Sequence, residues 1–512
     1  MEKEKMTLNK KIFINVINIC LLCFALWLLF RSIDIKYSII NIVTFICLLL
    51  FISQFKKLYW FSFFPIIIFL SLYLPIGLKF GFITSDYLIT LYSTNTAEST
   101  GFLSKISIKY FLYSLYLLFY FGFWGKVFVN KNNLKINNKL ILVVCFIGSA
   151  LFIPNLVFFK ELYFATKNAI IELNDFRENI NKNDWNIVSV KNQYKNYVLI
   201  IGESGSKFYH GMYDYKPDTT PFLSHVNGTV IDGMLSPATR TVPSLIRFLT
   251  LQENFKPKYN LNLVDLINDA GFTSYWISNQ NYVGKHATPI TSIGLKSNYS
   301  FFQKMIDAET TTDYDLLGKF KEYLQLSRKN DRNFFVVHLL DPHPYEVCDV
   351  LERYERFNFP TKYTKDYRNI NCYNQIINFE DKLIRDIYNK LKETNESFSI
   401  IYFSDHGIKA RNFKNKNSEL MHSDEQEGYH IPLIKMSSDD TSREVIKINK
   451  TGLFFTNGVA TWLGIETTNI KQKYDLFSNI PFDNEEEITH IKNVKSLPLQ
   501  PVIENTNLQL DN

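Results

Sequence analysis

Two short apolar runs in the second half of the chain each end in side chains that bind metals. The run Tyr197–Gly202 is followed by Glu203, and the run Ser399–Ser404 is followed by Asp405 and His406. Continuous apolar runs of this length are typical of buried parallel strands, and open α/β sheets bind ligands at the carboxyl ends of their strands. Two carboxylates and one imidazole that meet there are sufficient to hold a divalent cation. The pattern therefore predicts a metalloenzyme.

A loop rich in hydroxyl groups lies between these two runs and leads into an apolar segment with the pattern of a helix. Serine and threonine before a helix most often cap its N-terminus. Alternatively, one hydroxyl is a nucleophile, because the helix dipole stabilises negative charge at that end. The residues alone leave both interpretations open. The hydroxyl side chains of this loop are Ser236, Thr239, Thr241, Ser244 and Thr250.

Several histidines lie near predicted strand ends. His338 and His343 follow one another at the end of one strand, and His422 and His430 precede the last strand. A single histidine is more often structural than functional, but several around one predicted metal site favour a role in that site. We interpret His338 and His430 as structural, because each lies within or beside an apolar run.

Five apolar stretches dominate the first third of the chain. Each has close to the ~20 residues that a helix needs to cross the hydrocarbon core of a bilayer. Lysines precede the first stretch, separate the second from the third and surround the connection from the fourth to the fifth, which predicts that these segments are cytoplasmic. Five spans then place the rest of the chain on the opposite side. The stretches are Ile12–Phe30, Tyr37–Phe55, Trp60–Leu78, Tyr110–Val129 and Leu140–Phe159.

From Tyr197 onward, strand patterns alternate with helix patterns. The predicted strands are Tyr197–Gly202, Phe272–Ser278, Asn333–Leu339, Ser397–Ser404 and Ile431–Met436. This alternation predicts βαβ units and an α/β domain with a mostly parallel central sheet, which follows an α-helical five-span transmembrane domain. The C-terminal residues are rich in asparagine and glutamate, which indicates a poorly ordered tail. The predicted divisions are 1–160 for the transmembrane domain, 161–196 for bridging helices, 197–480 for the catalytic domain and 481–512 for the polar tail.

The connection between the third and fourth spans contains Thr90, Thr94 and Glu98, which are four residues apart. On a helix these three side chains share one face. That face is either simply solvated or a polar patch directed at the catalytic domain.

The cysteines and the charges of the chain bear on a possible disulfide and on the kind of partner. Cys348 and Cys372 are the cysteines of the polar half. In an oxidising compartment they are the natural disulfide pair, and two free thiols are the alternative. The formal net charge is +6 and the lysines are scattered, so the chain lacks the basic stripe of a nucleic-acid-binding protein.

In chain order, the sequence contains Gly-Glu-Ser at 202–204, the hydroxyl loop before a helix, two histidines spaced by four residues at 338–343, Ser-Asp-His-Gly at 404–407 and His-Ile-Pro at 430–432. Together with five preceding spans, this order resembles the lipopolysaccharide phosphoethanolamine transferases of the alkaline phosphatase and sulfatase superfamily. The resemblance extends from the first span to the last predicted strand.

The resemblance implies a role for each matching residue. Glu203, Asp405 and His406 become Zn²⁺ ligands, and Thr239 becomes the nucleophile and the fourth ligand. His343 and His422 become the catalytic histidines that face the phosphate. The chain departs from the family pattern where Pro237 and Ala238 replace Cys-Gly, where Pro344 replaces glycine and where a threonine replaces the asparagine of the lipid-side motif. The residues expected to bind substrate are Thr90, Thr94, Glu98 and Asn281.

The resemblance also implies the substrates and the location. The donor would be phosphatidylethanolamine, and the acceptor would be lipopolysaccharide, at lipid A or at an inner-core sugar, through a covalent phosphoenzyme. The enzyme would be a multi-pass protein of the bacterial inner membrane with its catalytic domain in the periplasm and no nucleic-acid partner.

Three alternatives remain at this point. A sulfatase-like hydrolase would use Ser236, because Ser236 to Arg240 fits a loose Ser-x-Ala-x-Arg signature. A phosphoglycerol transferase of the lipoteichoic-acid-synthase type would share the architecture and the metal. A non-enzymatic envelope protein would copurify with little metal.

Overall fold

The computed structural model describes residues 2–81, 83–93, 106–131, 135–280, 288–303, 311–343, 347–354, 368–412 and 418–499. Backbone proximity divides the chain into two units. The first unit comprises Met1–Leu88 and Thr96–Ile170, and the second comprises Ile89–Asn95 and Ile171–Asn512.

The first unit is helical, because a helix satisfies the hydrogen bonds of an apolar segment within the segment itself. Three stretches, Lys56–Lys79, Ile108–Val129 and Lys139–Asn179, are long and apolar enough to cross a membrane, and Val16–Ser32 and Ile39–Ser53 are shorter apolar helices. Three of the five predicted spans thus reach spanning length within the described residues. The helices up to the second unit are α1 (Glu2–Ser32), α2 (Ile39–Ser53), α3 (Lys56–Leu58), α4 (Phe64–Phe80), α5 (Ser85–Ser93), α6 (Ile108–Trp124), α7 (Lys139–Phe152) and α8 (Val157–Asn179).

The second unit alternates strands and helices. Its strands are β1 (Ile187–Val190), β2 (Asn196–Gly202), β3 (Gly228–Leu235), β4 (Thr250–Glu253), β5 (Lys256–Asn262), β6 (Thr273–Ser278), β7 (Tyr299–Phe302), β8 (Asn333–His338), β9 (Phe398–Ser404), β10 (Lys409–Asn412), β11 (Ser418–Met421), β12 (Leu433–Ser437), β13 (Arg443–Thr451) and β14 (Ile465–Thr467). Its helices are α9 (Pro221–His225), α10 (Thr241–Phe248), α11 (Leu263–Asp269), α12 (Pro289–Gly294), α13 (Leu316–Leu326), α14 (Val347–Arg353), α15 (Arg368–Glu393), α16 (Gln426–Tyr429), α17 (Phe455–Trp462) and α18 (Glu485–Ser496).

The central sheet has eight strands in the order β13-β3-β12-β9-β2-β8-β6-β7. The neighbours from β9 to β7 are parallel, whereas β12 is antiparallel to both β9 and β3. Every residue of β2, β8 and β9 is buried, as expected of strands covered on both faces. The prediction of an α/β domain with a mostly parallel sheet is confirmed.

The register of two neighbouring strands positions the predicted metal ligands. β2 and β9 are parallel, and Gly202 lies opposite Ser404. The next residues along each strand are Glu203 and Asp405, so both leave the same edge of the sheet side by side.

The sequence did not predict several elements, among them three strands of the central sheet, β3, β7 and β13, and the helix α18. β3 and β13 pair in parallel at the edge, but their apolar residues are interrupted by charged residues and glycines, so neither has the pattern of a buried strand. α18 occupies part of the segment that the sequence predicts to be a disordered tail. The buried residues of α18 are Glu487 and Val494. The hydroxyl of Tyr474 donates to Glu487 Oε1 at 2.5 Å.

A disulfide joins Cys348 in α14 to Cys372 in α15, across a sequence separation of 24 residues. We expect the double substitution of both cysteines by serine to lower the free energy of unfolding by about 3 kcal/mol, because the bond restricts a loop of this length in the unfolded chain. Thermal unfolding of the purified protein with and without a reductant measures the effect. The double variant should not respond to the reductant, and a response equal to that of the unaltered protein would contradict the assignment.

Candidate active site

Glu203 follows β2 directly and is 1% exposed. Its position depends on Ser204, whose φ of 52° turns the backbone away from the strand. The Ser204 hydroxyl donates to Glu203 Oε1 at 2.7 Å, and the side-chain amide of Gln280 donates to Oε2 at 3.2 Å. Both carboxylate oxygens are therefore oriented by neighbours from two different strand ends.

Asp405 and His406 follow β9 and are completely buried. The backbone N–H groups of Ser204 and His406 donate to Asp405 Oδ1 at 2.9 and 2.7 Å. Asp405 Oδ2 is buried and has no hydrogen-bond partner among the described residues. An unpaired buried carboxylate oxygen is costly unless a cation or proton binds it.

The imidazole of His406 is fixed by its own loop. Its Nδ1 lies 2.8 Å from the carbonyl oxygen of Gly407 and donates to it, since a carbonyl can only accept. Nε2 consequently faces the two carboxylates, at 3.5 Å from Glu203 Oε1 and 3.4 Å from Asp405 Oδ2. A histidine that is held at one nitrogen and directed at acidic ligands by the other is the usual arrangement in metal sites.

The three groups shift one another's pKa values. Burial, and next the charge of Glu203, raise the pKa of Asp405. Burial would lower the pKa of His406, but the charges of Asp405 and Glu203 raise it to about 9. Burial would also raise the pKa of Glu203, yet the hydrogen bond and charge of His406 lower it. Three titratable groups thus interact strongly in a space from which water is excluded.

Ligand atoms of Glu203, Asp405 and His406 all lie within 4.8 Å of one another. This separation is suitable for a single cation that two oxygens and one nitrogen contact. Together with the unpaired Asp405 Oδ2, it makes the cluster a candidate metal site.

Thr241 is the threonine that reaches this cluster. Its hydroxyl lies 3.1 Å from Glu203 Oε2 and 3.3 Å from His406 Nε2. Thr241 is the first residue of α10 and is partly exposed, so the helix dipole favours negative charge at its oxygen and a substrate can reach it. Three residues further, the Ser244 hydroxyl donates to the Asp405 carbonyl oxygen at 2.5 Å and ties α10 to β9.

The structure contradicts the assignment of Thr239 as metal ligand and nucleophile. The Thr239 hydroxyl donates to Asp424 Oδ1 at 2.6 Å instead. The physical reason is the position at which α10 begins. Its first residue is Thr241, two residues after Thr239, and the Thr241 hydroxyl is the one directed at Glu203 and His406. The Ser236 hydroxyl of the sulfatase-like signature donates to the carbonyl oxygen of Ala238 at 2.7 Å.

The two histidines predicted to face the phosphate lie near the metal ligands. The ring centres of His422 and His406 are 5.0 Å apart, and those of His343 and His422 are 6.1 Å apart. Burial and then the charges of His406, Arg240 and His343 lower the pKa of His422. By contrast, His338 lies in the sheet with Nδ1 3.4 Å from the Ser278 hydroxyl, as a structural residue would.

The predicted substrate-binding residues are described only in part. Thr90 lies in α5, whereas Thr94, Glu98 and Asn281 lie outside the described residues. Near Thr90, the Tyr92 hydroxyl accepts a hydrogen bond from Arg177 of α8 at 2.9 Å.

Sequence reasoning did not identify Gln280, although it follows β6 at the same sheet edge as Glu203. Its position shortly after a buried strand could have identified it, because the same property identified Glu203. Two further residues lie beside Thr239. In the sequence, Arg240 was noted only as the last residue of the sulfatase-like signature, and Asp424 gave no signal.

Comparisons with known proteins identify the family of this chain. The sulfatase family profile matches residues 195–465. A protein of Haemophilus influenzae named "Putative phosphoethanolamine transferase" is 33% identical over 363 residues, which cover 68% of this chain and 74% of that protein. Phosphoethanolamine transferase OpgE of Escherichia coli is 28% identical over 432 residues, which cover 79% of this chain and 80% of that protein.

A solved structure supports the fold. The integral membrane protein lipooligosaccharide phosphoethanolamine transferase A (EptA) from Neisseria meningitidis matches with a TM-score of 0.53 and 19% identity, over 88% of this chain and 96% of that chain. The sheet and the acidic ligand cluster define a protein of the alkaline phosphatase and sulfatase superfamily. Within it, the chain belongs to the phosphoethanolamine transferases and is an enzyme with transferase activity.

Replacement of Gln280 by alanine tests how Glu203 is oriented. We expect Gln280→Ala to weaken the affinity for a divalent metal by about tenfold, because groups that orient a metal ligand contribute 10- to 100-fold. Metal titration against a competing chelator measures the affinity. Gln325→Ala, on an exposed face of α13, is the control, and equal affinities of the two variants would contradict this role.

Proposed function

We propose that this enzyme transfers phosphoethanolamine from phosphatidylethanolamine to lipopolysaccharide, at lipid A or an inner-core sugar, through a covalent intermediate on Thr241. The observation that carries the proposal is the Thr241 hydroxyl, which lies at a helix N-terminus and within 3.3 Å of both Glu203 and His406. A hydroxyl in this position is suited to nucleophilic attack on phosphorus.

We further propose that the cation is Zn²⁺. Glu203, Asp405 and His406 would hold it, with Thr241 as the fourth ligand in place of Thr239. Two oxygens and an imidazole nitrogen are a donor set that zinc accepts, and Asp405 Oδ2 has no other described partner. When bound, zinc is a Lewis acid that lowers the pKa of an adjacent hydroxyl and polarises a phosphoryl oxygen.

The chain's own groups would carry out two transfers. Thr241 Oγ1 forms a bond to the phosphorus of the donor while the bond from phosphorus to the diacylglycerol oxygen breaks, and the proton of Thr241 passes to that leaving oxygen. The acceptor oxygen then attacks the same phosphorus, and Thr241 recovers its hydroxyl. His343 and His422 would stabilise the phosphoryl oxygens or deliver the proton. Two lipids would thereby use one site in turn.

The lipid substrates also account for the helical unit. We propose five spans in residues 1–160, bridging residues 161–196 and a periplasmic catalytic domain from 197 onward, in the bacterial inner membrane. Three spanning-length helices and the lysine distribution support this topology. Thr90, Thr94, Glu98 and Asn281 are proposed to contact the lipid substrates.

Substitution of each threonine in turn tests which of the two is the nucleophile. After incubation with phosphatidylethanolamine, mass spectrometry should find a phosphoethanolamine adduct on Thr241. We expect Thr241→Val to form no adduct and to lose transfer by roughly 10³-fold or more. Thr239→Val is the matched control and should still form the adduct. An adduct on Thr239 would refute the assignment, and a phosphoglycerol adduct formed after a separate incubation with phosphatidylglycerol would favour the alternative transferase.

The acceptor is tested in cells. Lipopolysaccharide from a strain that expresses the chain should carry added phosphoethanolamine, and lipopolysaccharide from a strain that expresses Thr241→Val should not. Fragment masses assign the addition to lipid A or to the core sugar. An unchanged lipopolysaccharide in a strain whose enzyme carries the Thr241 adduct would show that the acceptor is a different molecule.

A further inference from the structure

Thr239, Arg240 and Asp424 form a polar cluster beside the active site that the proposed mechanism does not use. Asp424 Oδ1 accepts hydrogen bonds from the Thr239 hydroxyl at 2.6 Å and from Arg240 Nη1 at 3.0 Å. Arg240 Nη1 also donates to the Thr239 hydroxyl at 3.0 Å. Two loops are joined in this way, since Arg240 precedes Thr241 and Asp424 follows His422 by two residues.

The exposure of this cluster is uneven. The side chain of Arg240 is 5% exposed, whereas that of Asp424 is 50% exposed. Both hydrogen bonds to Asp424 use Oδ1, and a carboxylate has about four acceptor positions. Asp424 Oδ2 therefore retains its capacity to bind a cation from the solvent side. Burial would raise the pKa of Asp424, but the charge of Arg240 lowers it, so the carboxylate is ionised near neutral pH.

The backbone places Thr239, which binds this carboxylate, two residues before the proposed nucleophile. Arg240 is extended, with φ −144° and ψ 147°. Its two neighbours, Thr239 and Thr241, therefore direct their side chains to the same face, with Cα atoms about 6.6 Å apart. Asp424 is hydrogen-bonded to the first of these hydroxyls, and the metal ligands contact the second.

The headgroup is long enough to extend past this spacing of the two threonines. Four bonds of roughly 1.5 Å join the phosphorus of phosphoethanolamine to its nitrogen, so an extended headgroup spans about 5 Å. An attack distance of about 3 Å and a hydrogen bond of about 2.8 Å add to this span. An ammonium group would thus reach a carboxylate up to about 10 Å from Thr241 Oγ1.

We propose that Asp424 recognises the primary ammonium group of the phosphoethanolamine headgroup, while Thr239 and Arg240 hold its carboxylate in place. The inference rests on the proposed function and names the residue that selects the donor. A headgroup without a positive charge would not make the ionic contact with Asp424. A trimethylated headgroup would lack the hydrogen-bond donors.

Two soluble probes that differ by the amino group test this proposal. O-phosphoethanolamine and ethyl phosphate are titrated into the full-length, zinc-loaded protein, and their dissociation constants are compared. We expect the unaltered protein to bind O-phosphoethanolamine about tenfold more tightly, because a charge-assisted hydrogen bond is lost with the amine. In Asp424→Asn, which keeps the Oδ1 acceptor, the ratio should fall to about one while the affinity for ethyl phosphate is unchanged.

Controls separate recognition from structure. Asp331→Asn, which changes an exposed carboxylate elsewhere, should leave the ratio unaltered, and Asp424→Glu should restore part of the preference. A tenfold preference that survives in Asp424→Asn would overturn the proposal. Equal weakening of both probes would also overturn it, because Asp424 would then only hold the loop.

The failure of this inference is distinguishable from the failure of the proposed function. If the unaltered protein forms the Thr241 adduct but Asp424→Asn keeps the preference, recognition lies elsewhere and only the inference is wrong. If the unaltered protein forms no adduct and binds neither probe, both are wrong.

Discussion

The site depends on the convergence of two carboxylates and an imidazole in a buried space. Glu203, Asp405 and His406 are each at most 1% exposed, and carboxylates so close together repel strongly where water cannot screen them. The parallel register of β2 and β9 imposes this arrangement, because it brings the residues after both strands to one edge. Ser204, Gln280 and the Gly407 carbonyl orient the groups but leave Asp405 Oδ2 without a hydrogen-bond partner within the described chain, and a bound cation would relieve the repulsion.

The sequence predicted this core of the site because the relevant strands are buried on both faces. A strand that is buried in this way is a continuous apolar run, and its end is marked by the first polar residue. Glu203 and Asp405 are such residues, and β2, β6, β8, β9 and β12 were each expected close to their observed positions. The candidate metal ligands could therefore be predicted to lie together without knowledge of the strand order, provided that the strands were parallel.

The nucleophile could not be assigned in the same way. Thr239 and Thr241 have identical side chains, which lie in the same loop and on the same face of it. What distinguishes them is that α10 begins at Thr241. The start of a helix depends on packing, here on the bond from Ser244 to the Asp405 carbonyl oxygen, and packing is invisible in the sequence. β13 and α18 were missed for a related reason, because each buries only a few residues and its composition resembles a solvated loop.

The hydroxyl loop thereby performs two tasks with adjacent residues. Extended backbone at Arg240 fixes the separation of its neighbours, so one threonine reaches the metal ligands while the other reaches Asp424. An insertion or deletion of one residue would direct one of the two to the opposite face. The same geometry explains why Arg240 is buried: its charge keeps Asp424 ionised and in place, and its hydrogen bonds join the loop of the nucleophile to the loop of His422. Headgroup recognition and phosphoryl transfer would then be coupled by a single stretch of backbone.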